Sequence, residues 1–410
     1  MLLTAKIRMY SSLKRKNNTS PILKNIMKYS YLLLLASPLV ANSEERSGLL
    51  LNGGLSAVYT DNILNNSAEL SDTAIIFTPN ARYLSLVGKH QFSLNYDGNI
   101  AHYTKDSDLS YNEHSISLDA RLDHSHKLNT EFRIGFDKKI EEPGSTNTST
   151  EDLLDYNQYK TKSALARLYY GQKSSIGQIV IDYDYAEYEY TNNNQSFRDL
   201  TRDKLGAVFY YRVAPKTRLI FQASATKYTY DDQLLASGLV FNQTSLRQLY
   251  TTGVEWNSTA KTTGIFRIGY QKQAFDDARF NDISGLSYNL NLIWKPSVYT
   301  RVTFGTKRET SESAQLNEGA FVSTSYSLSA SHNITKLTKV SAQYSLNNDD
   351  IVSSTNRVDK RNVIKIEATH SLRKWLNISF NYKYQEKSSN IDQYNYDSNT
   401  IGISLKTFFK

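Results

Sequence analysis

Histidine, aspartate and tyrosine are the residues in this chain most capable of chemistry. Seven histidines are present, at 90, 102, 114, 124, 126, 332 and 370. His124 and His126 share one face beside an expected short turn, where a metal ion is conceivable but a solvated turn is much the better reading. His102 lies a few residues before Asp106 and Asp108 and could imitate the His–Asp pairing of a hydrolase at a rim. No zinc-protease spacing of histidines, no G-x-S-x-G and no phosphate-cradling glycine loop occurs. With 0 Cys the chain has no disulfide, thiol nucleophile or thiolate metal site. These residues point to no enzyme, no bound metal and no cofactor.

The run DYDYAEYEY (182–190) is the most unusual. In an extended strand Tyr183 and Tyr185 continue the face of Ile179 and Ile181, while Asp182, Asp184, Tyr188 and Tyr190 occupy the other. The acidic and aromatic face suits sugar binding by hydrogen bonds and stacking. An aromatic band at a membrane boundary, with water behind it, explains the same pattern.

The elements that position these residues are strands. Along LNISFNYKYQ (376–385), Leu376, Ile378, Phe380, Tyr382 and Tyr384 alternate with Asn377, Ser379, Asn381, Lys383 and Gln385. The same alternation recurs about every twenty residues, from 48–60 to 398–409, and predicts eighteen strands with no convincing helix. They include 128–142 and 155–171. Short connections such as 87–89, 124–127 and 214–217 alternate with longer ones at 61–72, 143–154, 231–245 and 390–398. Short turns at one end and longer loops at the other are the pattern of transmembrane barrels.

Physical chemistry then selects the architecture. A strand of about ten residues spans about 23 Å along the membrane normal when tilted about 45°. An unpaired backbone group in hydrocarbon costs several kcal/mol, so the sheet has to close. The expectation is an all-β transmembrane antiparallel barrel, with its greasy face toward outer-membrane lipid. Its wet face carries the candidate lumen-lining residues Arg121, Arg167, Asp182, Asp184, Arg218, Arg267 and Lys383. Their mixed signs argue against strong ion selectivity. The longest connections are about fifteen residues and none reads as a constriction, so the expected lumen is wide and without its own gate. Pro79 is a misfit inside a paired strand, and a bulge or strand start is expected there.

Composition narrows the alternatives. The 48 basic and 40 acidic residues give a net charge of +8. Lys6, Arg8, Lys14, Arg15, Lys16, Lys24 and Lys28 all fall in the first 43 residues, which contain no acid, and the remainder is close to neutral. The clustered basic surface that nucleic-acid binding needs is missing, and no nucleic-acid partner is expected. A mean hydropathy of −0.51 excludes a helical membrane protein. MKYSYLLLLASPLVANS (27–43) reads as a secretory signal cleaved after Ser43, with Met27 an alternative start. The expected organisation is an N-terminal extension and signal over 1–43 and a barrel over 44–410, in the outer membrane of a Gram-negative bacterium. Ile401, Ile403, Leu405 and Phe409 share a face at the C-terminus, like the closing strand of bacterial outer-membrane barrels, with Lys410 a small departure.

Two segments carry a family resemblance. YTDNILNNSAELSDTAIIFTPNARY (59–83), with Tyr59, Asn62, Ser71-Asp72 and Pro79, resembles the opening hairpin of the Putative beta-barrel porin 2 family. YKYQEKSSNIDQYNYDSNTIGISL (382–405) resembles its last hairpin. The resemblance implies an outer-membrane conduit for exopolysaccharide or capsular polysaccharide, working with a periplasmic polysaccharide export protein. The alternative is a general or sugar diffusion porin.

Overall fold

The computed structural model describes residues 47–146, 155–234, 240–257, 261–313, 319–352 and 356–409. The expected signal segment lies outside these residues. Eighteen strands form one antiparallel sheet. In chain order they are β1 (Gly48–Thr60), β2 (Asp72–Val87), β3 (His90–Tyr103), β4 (Tyr111–Asp123), β5 (Leu128–Ile140), β6 (Gln158–Tyr170), β7 (Gly177–Tyr190), β8 (Leu200–Ala214) and β9 (Thr217–Tyr230). They continue as β10 (Ser245–Trp256), β11 (Thr262–Phe275), β12 (Ile283–Trp294), β13 (Thr300–Glu312), β14 (Ala320–Asn333), β15 (Thr338–Ile351), β16 (Val358–Arg373), β17 (Leu376–Ser389) and β18 (Tyr396–Phe409).

Each strand pairs with its sequence neighbours, and β18 pairs with β1 from Leu51↔Phe409 to Thr60↔Thr400. The sheet therefore closes on itself and leaves no edge, the condition that hydrocarbon imposes. A 14-residue strand such as β3 rises about 47 Å, or about 33 Å along the normal at the usual tilt of about 45°. That exceeds an apolar band of about 25 Å, so strand ends project beyond it.

The period-2 patterning decides which way each residue faces. Outward residues are large, apolar and exposed, among them Leu94, Ile116, Leu118, Phe132, Ile134, Ile181, Phe209, Phe221, Tyr270, Ile364, Phe380, Ile403 and Leu405. Most inward residues at the same levels are Ser, Thr, Asn, Gln or charged, with Val180, Ile220 and Val363 among the apolar exceptions. A soluble protein would reverse this arrangement. All three tryptophans, Trp256, Trp294 and Trp375, stand beside the short turns, where amphipathic rings favour a membrane boundary. Among the described residues no helix is long and apolar enough to cross a membrane, and the barrel crosses with strands.

Pro79 departs from expectation. It sits in mid-β2 opposite Gly53 with the register unbroken, and neither a bulge nor a strand start occurs there. The ladder to β3 runs Phe77↔Ile100 and Asn80↔Asp97, with no pairing recorded between them. The position facing Pro79 is Gly98, where a Cβ would lie 2.8 Å from the proline ring. A residue without a side chain makes room for the ring, and two ladder positions are lost instead of the register.

Candidate functional site

The polar interior is a set of ion pairs built across adjacent strands. Residues on the inner face of one strand stand directly opposite inner-face residues of the next, close enough to interact. Arg121 reaches Asp123 at 3.3 Å and Glu131 at 3.4 Å. Arg167 lies 3.6 Å from the same glutamate. Asp182 pairs with Lys204 at 3.3 Å, and Asp184 with Arg202 at 2.5 Å. Arg218 bonds Glu255 at 2.5 Å and lies 4.1 Å above the Tyr210 ring. Arg121, Arg167, Asp182 and Arg218 line one cavity of about 1000 Å³ next to the short turns. Arg267 stands between Gly253 and Asn289 in the ladder, and its buried Nε has no hydrogen-bond partner. Lys383 is elsewhere, 3.8 Å from Glu142.

The tyrosine-rich run divides between the two faces. Ile179, Ile181 and Tyr183 are exposed on the outside, while Asp182 is buried on the inside. Tyr188 and Tyr190 turn into the mouth, where Arg202 and Arg198 cover their rings at 5.8 and 4.2 Å. The run therefore puts apolar and tyrosine side chains outward and acidic and aromatic ones inward.

The feature not legible in the sequence is a strap. Strand β5 ends at Ile140, short of the expected 142, and β6 begins at Gln158 rather than 155. The connection opens with a neck. Glu141 N donates to Asn157 O at 2.8 Å, and buried Arg198 grips the Glu141 carboxylate with both terminal nitrogens. An apolar knot of Ile63, Leu109 and Tyr156 packs beside the neck. From it residues 142–146 run to the far wall of β15 to β18. Asn65 Nδ2 donates to Pro143 O at 2.9 Å, and the Tyr396 hydroxyl to Gly144 O at 3.0 Å. Arg357 donates to Thr146 O at 3.1 Å, while the Thr146 hydroxyl donates to Asp349. Gly144 has φ +73, and a Cβ there would meet Tyr396 and Asn65 at 2.6 Å. Only glycine satisfies both the left-handed backbone and the close approach.

Beneath the strap lies a buried charge cluster. Lys387 and Arg357 both hold Asp359, at 2.9 and 2.5 Å, and Arg357 stacks 3.6 Å above Tyr394. Glu142 reaches Arg361 at 3.3 Å. Burial works against the Glu142 charge. Arg361, Lys383 and Lys365 outweigh it and hold the carboxyl below the ordinary glutamate range. Its side chain is nonetheless 56% exposed, so solvent screens these pairs. The expectation of a lumen without a constriction is therefore corrected. The strap folds inward because its carboxylate and backbone carbonyls find cationic and hydroxyl donors on the opposite wall.

Sequence reasoning missed Glu142, Gly144, Arg361 and Lys365. Arg361 and Lys365 carry the same alternating-face signal as Lys383 and were open to the same argument. Nothing local marks Glu142, which the expected strand 128–142 would have placed on the outward face. The histidines show no catalytic geometry. His124 Nε2 lies 2.8 Å from Thr130 Oγ1, and His102 Nδ1 lies 3.4 Å from Ser110 Oγ. Asp106 instead accepts from Asp108 N. Among the described residues no group of His, Asp and Glu is arranged to hold a metal ion.

Comparison with solved structures agrees with the fold. OccAB2 of Acinetobacter baumannii superposes with a TM-score of 0.51 at 14% identity, covering 89% of this chain and 100% of that one. OccK9 of Pseudomonas aeruginosa gives 0.50 at 11%, covering 88% and 98%. OpdK of the same organism, crystallised with vanillate, gives 0.50 at 10%, covering 88% and 99%. No curated protein matches the sequence significantly. The family described as Putative beta-barrel porin 2 matches residues 53–409. That match runs from within β1 to the last residue of β18, and on this ground the chain belongs to the Putative beta-barrel porin 2 family, in the outer membrane of a Gram-negative bacterium.

Proposed function

We propose that the protein is a passive channel through which small hydrophilic solutes cross the outer membrane. The observation that carries this reading is the closed ring whose inner face is polar over the height of the strands and is narrowed near its mouth by the strap 142–146. A wall of fixed charges and hydroxyls keeps water in the lumen. A strap held by several weak bonds sets the size of what passes. Arg121, Arg167, Asp182, Asp184, Arg218, Arg267 and Lys383 are proposed as residues of the solute path. No covalent chemistry is needed, and the histidines play no part.

Polysaccharide export with a periplasmic partner is the less supported reading. It drew on the family resemblance and on a wide lumen without a gate, and the strap removes the second premise. The test has two arms. Purified protein in planar bilayers is expected to give steady conductance steps. Deletion of the gene is expected to slow uptake of small solutes and leave polymer secretion unchanged. Polymer trapped in the periplasm on deletion, with unaltered solute uptake, would reverse the order of the two readings.

A further inference from the structure

The acids and bases of the barrel interior are unevenly matched. On β4 to β10 most inward carboxylates have a basic partner: Asp119 with Arg133, Glu131 with Arg121 and Arg167, Asp182 with Lys204, Asp184 with Arg202, and Glu255 with Arg218, while Glu113 accepts from Asn99 Nδ2 instead. The wall opposite differs. Arg361 stands directly across from Lys387, and Lys365 directly across from Lys383. Like charges in directly opposed positions destabilise a sheet. Asp359 satisfies Lys387, and Glu142 of the strap serves both Arg361 and Lys383. Lys365 has no ion pair among the described residues, nor do Arg301 and Lys339. These three bases line a cavity of about 400 Å³ toward the short turns, in which Glu367 is the one acid. Glu367 is already held by the Thr369 hydroxyl at 2.8 Å.

Between the basic strands, β14 turns a stripe of serines inward. Ser323, Ser325, Ser327, Ser329 and Ser331 alternate with outward residues and face β13 and β15. Hydroxyls of this size leave the wall unobstructed and can donate hydrogen bonds. Arg361 and Lys365 are four residues apart on β16, about 13 Å along the strand. The cationic positions thus form a descending series rather than one tight site.

From this distribution we infer that the wall of β13 to β17 is a track for small solutes carrying a carboxylate or phosphate group, and that Glu142 is a tethered anion occupying its upper end. An incoming anion replaces Glu142 on Arg361 and Lys383, then passes to Lys365 and on to Arg301 and Lys339. Exchange of one carboxylate for another keeps Arg361 and Lys383 paired while Glu142 is displaced. The inference rests on the channel reading and specifies its substrate class.

The test is the reversal potential of the full-length protein in planar bilayers under a potassium chloride gradient. The wild type is expected to favour chloride over potassium. The double variant Lys365→Glu/Lys383→Glu is expected to lower the chloride-to-potassium permeability ratio at least about fivefold, from roughly a twofold change in local ion concentration per unit charge. Glu142→Gln is expected to raise that ratio. Inorganic phosphate at millimolar concentration should reduce chloride current in the wild type and not in the double variant. The milder pair Lys365→Gln/Lys383→Gln, checked for a closed barrel by circular dichroism and heat-shifted electrophoretic mobility, covers the case in which the glutamates prevent folding. A cation-selective or non-selective wild type overturns the anion track and leaves the channel standing, as does a ratio unmoved in folded variants. A folded protein without conductance overturns the channel reading and this inference with it.

Discussion

Replacing Gly144 by alanine is the sharpest perturbation of the strap. The residue lies at φ +73, where an L side chain costs about 1–2 kcal/mol. Its Cβ would also lie 2.6 Å from the Tyr396 ring and from Asn65 Cβ, an overpacking worth about 1–3 kcal/mol. The total is about 2–5 kcal/mol. Against it stand the bonds from Asn65, Tyr396 and Arg357 and the bond from Thr146 to Asp349. Neutral bonds of this kind contribute about 0.5–1.5 kcal/mol each and charged ones about 1.5–3. That sum is opposed by about 1–2 kcal/mol per residue for ordering the segment. The margin holding the strap is therefore smaller than the perturbation, and Gly144→Ala should vacate its seat. Gly144 belongs to no strand, so the wall should remain closed. The assay is single-channel conductance, with heat-shifted mobility as the check on closure. A larger unit conductance with more open-state noise is expected. A variant that is folded and conducts like the wild type would refute the claim that residues 142–146 narrow the pore.

Three further outcomes follow from other parts of the structure. Asp359→Asn leaves Arg357 and Lys387 buried without their carboxylate, and should lower stability by about 3–5 kcal/mol in urea unfolding from lipid vesicles. Ile134→Lys, at an outward position 64% exposed in β5, should cost about 2–4 kcal/mol in the same measurement if it lies near the membrane midplane. Glu142 has a folded pKa below the ordinary 4.5. Its contribution to seating the strap is thus complete above that value and is lost as pH falls through the lowered one. Conductance should rise in the wild type as pH falls below the ordinary glutamate value of 4.5 and through the lowered one, and Glu142→Gln should abolish that rise.

Much of the fold was open to reading from the chain alone. Strand number, strand direction and the two faces follow from one rule, that side chains alternate while lipid lies on one side and water on the other. The rule acts within each strand, as the Ile179, Ile181 and Tyr183 series shows, so no distant contact is needed to apply it. Closure follows too, because hydrocarbon tolerates no unpaired edge. What tertiary structure alone decided depends on residues brought together from distant parts of the chain. Glu142 meets Arg361 and Lys383 only because β5 and β16 lie on different arcs of the same ring, and no local pattern encodes that chord. Gly98 opposite Pro79 and Lys387 beside Arg357 and Asp359 depend instead on the exact register of neighbouring strands. Near-neutral composition likewise hid the uneven wall, since a sum over residues does not record which charge stands beside which. Alternation specified the ring locally, and the narrowing of its lumen was decided where two arcs of the ring face one another.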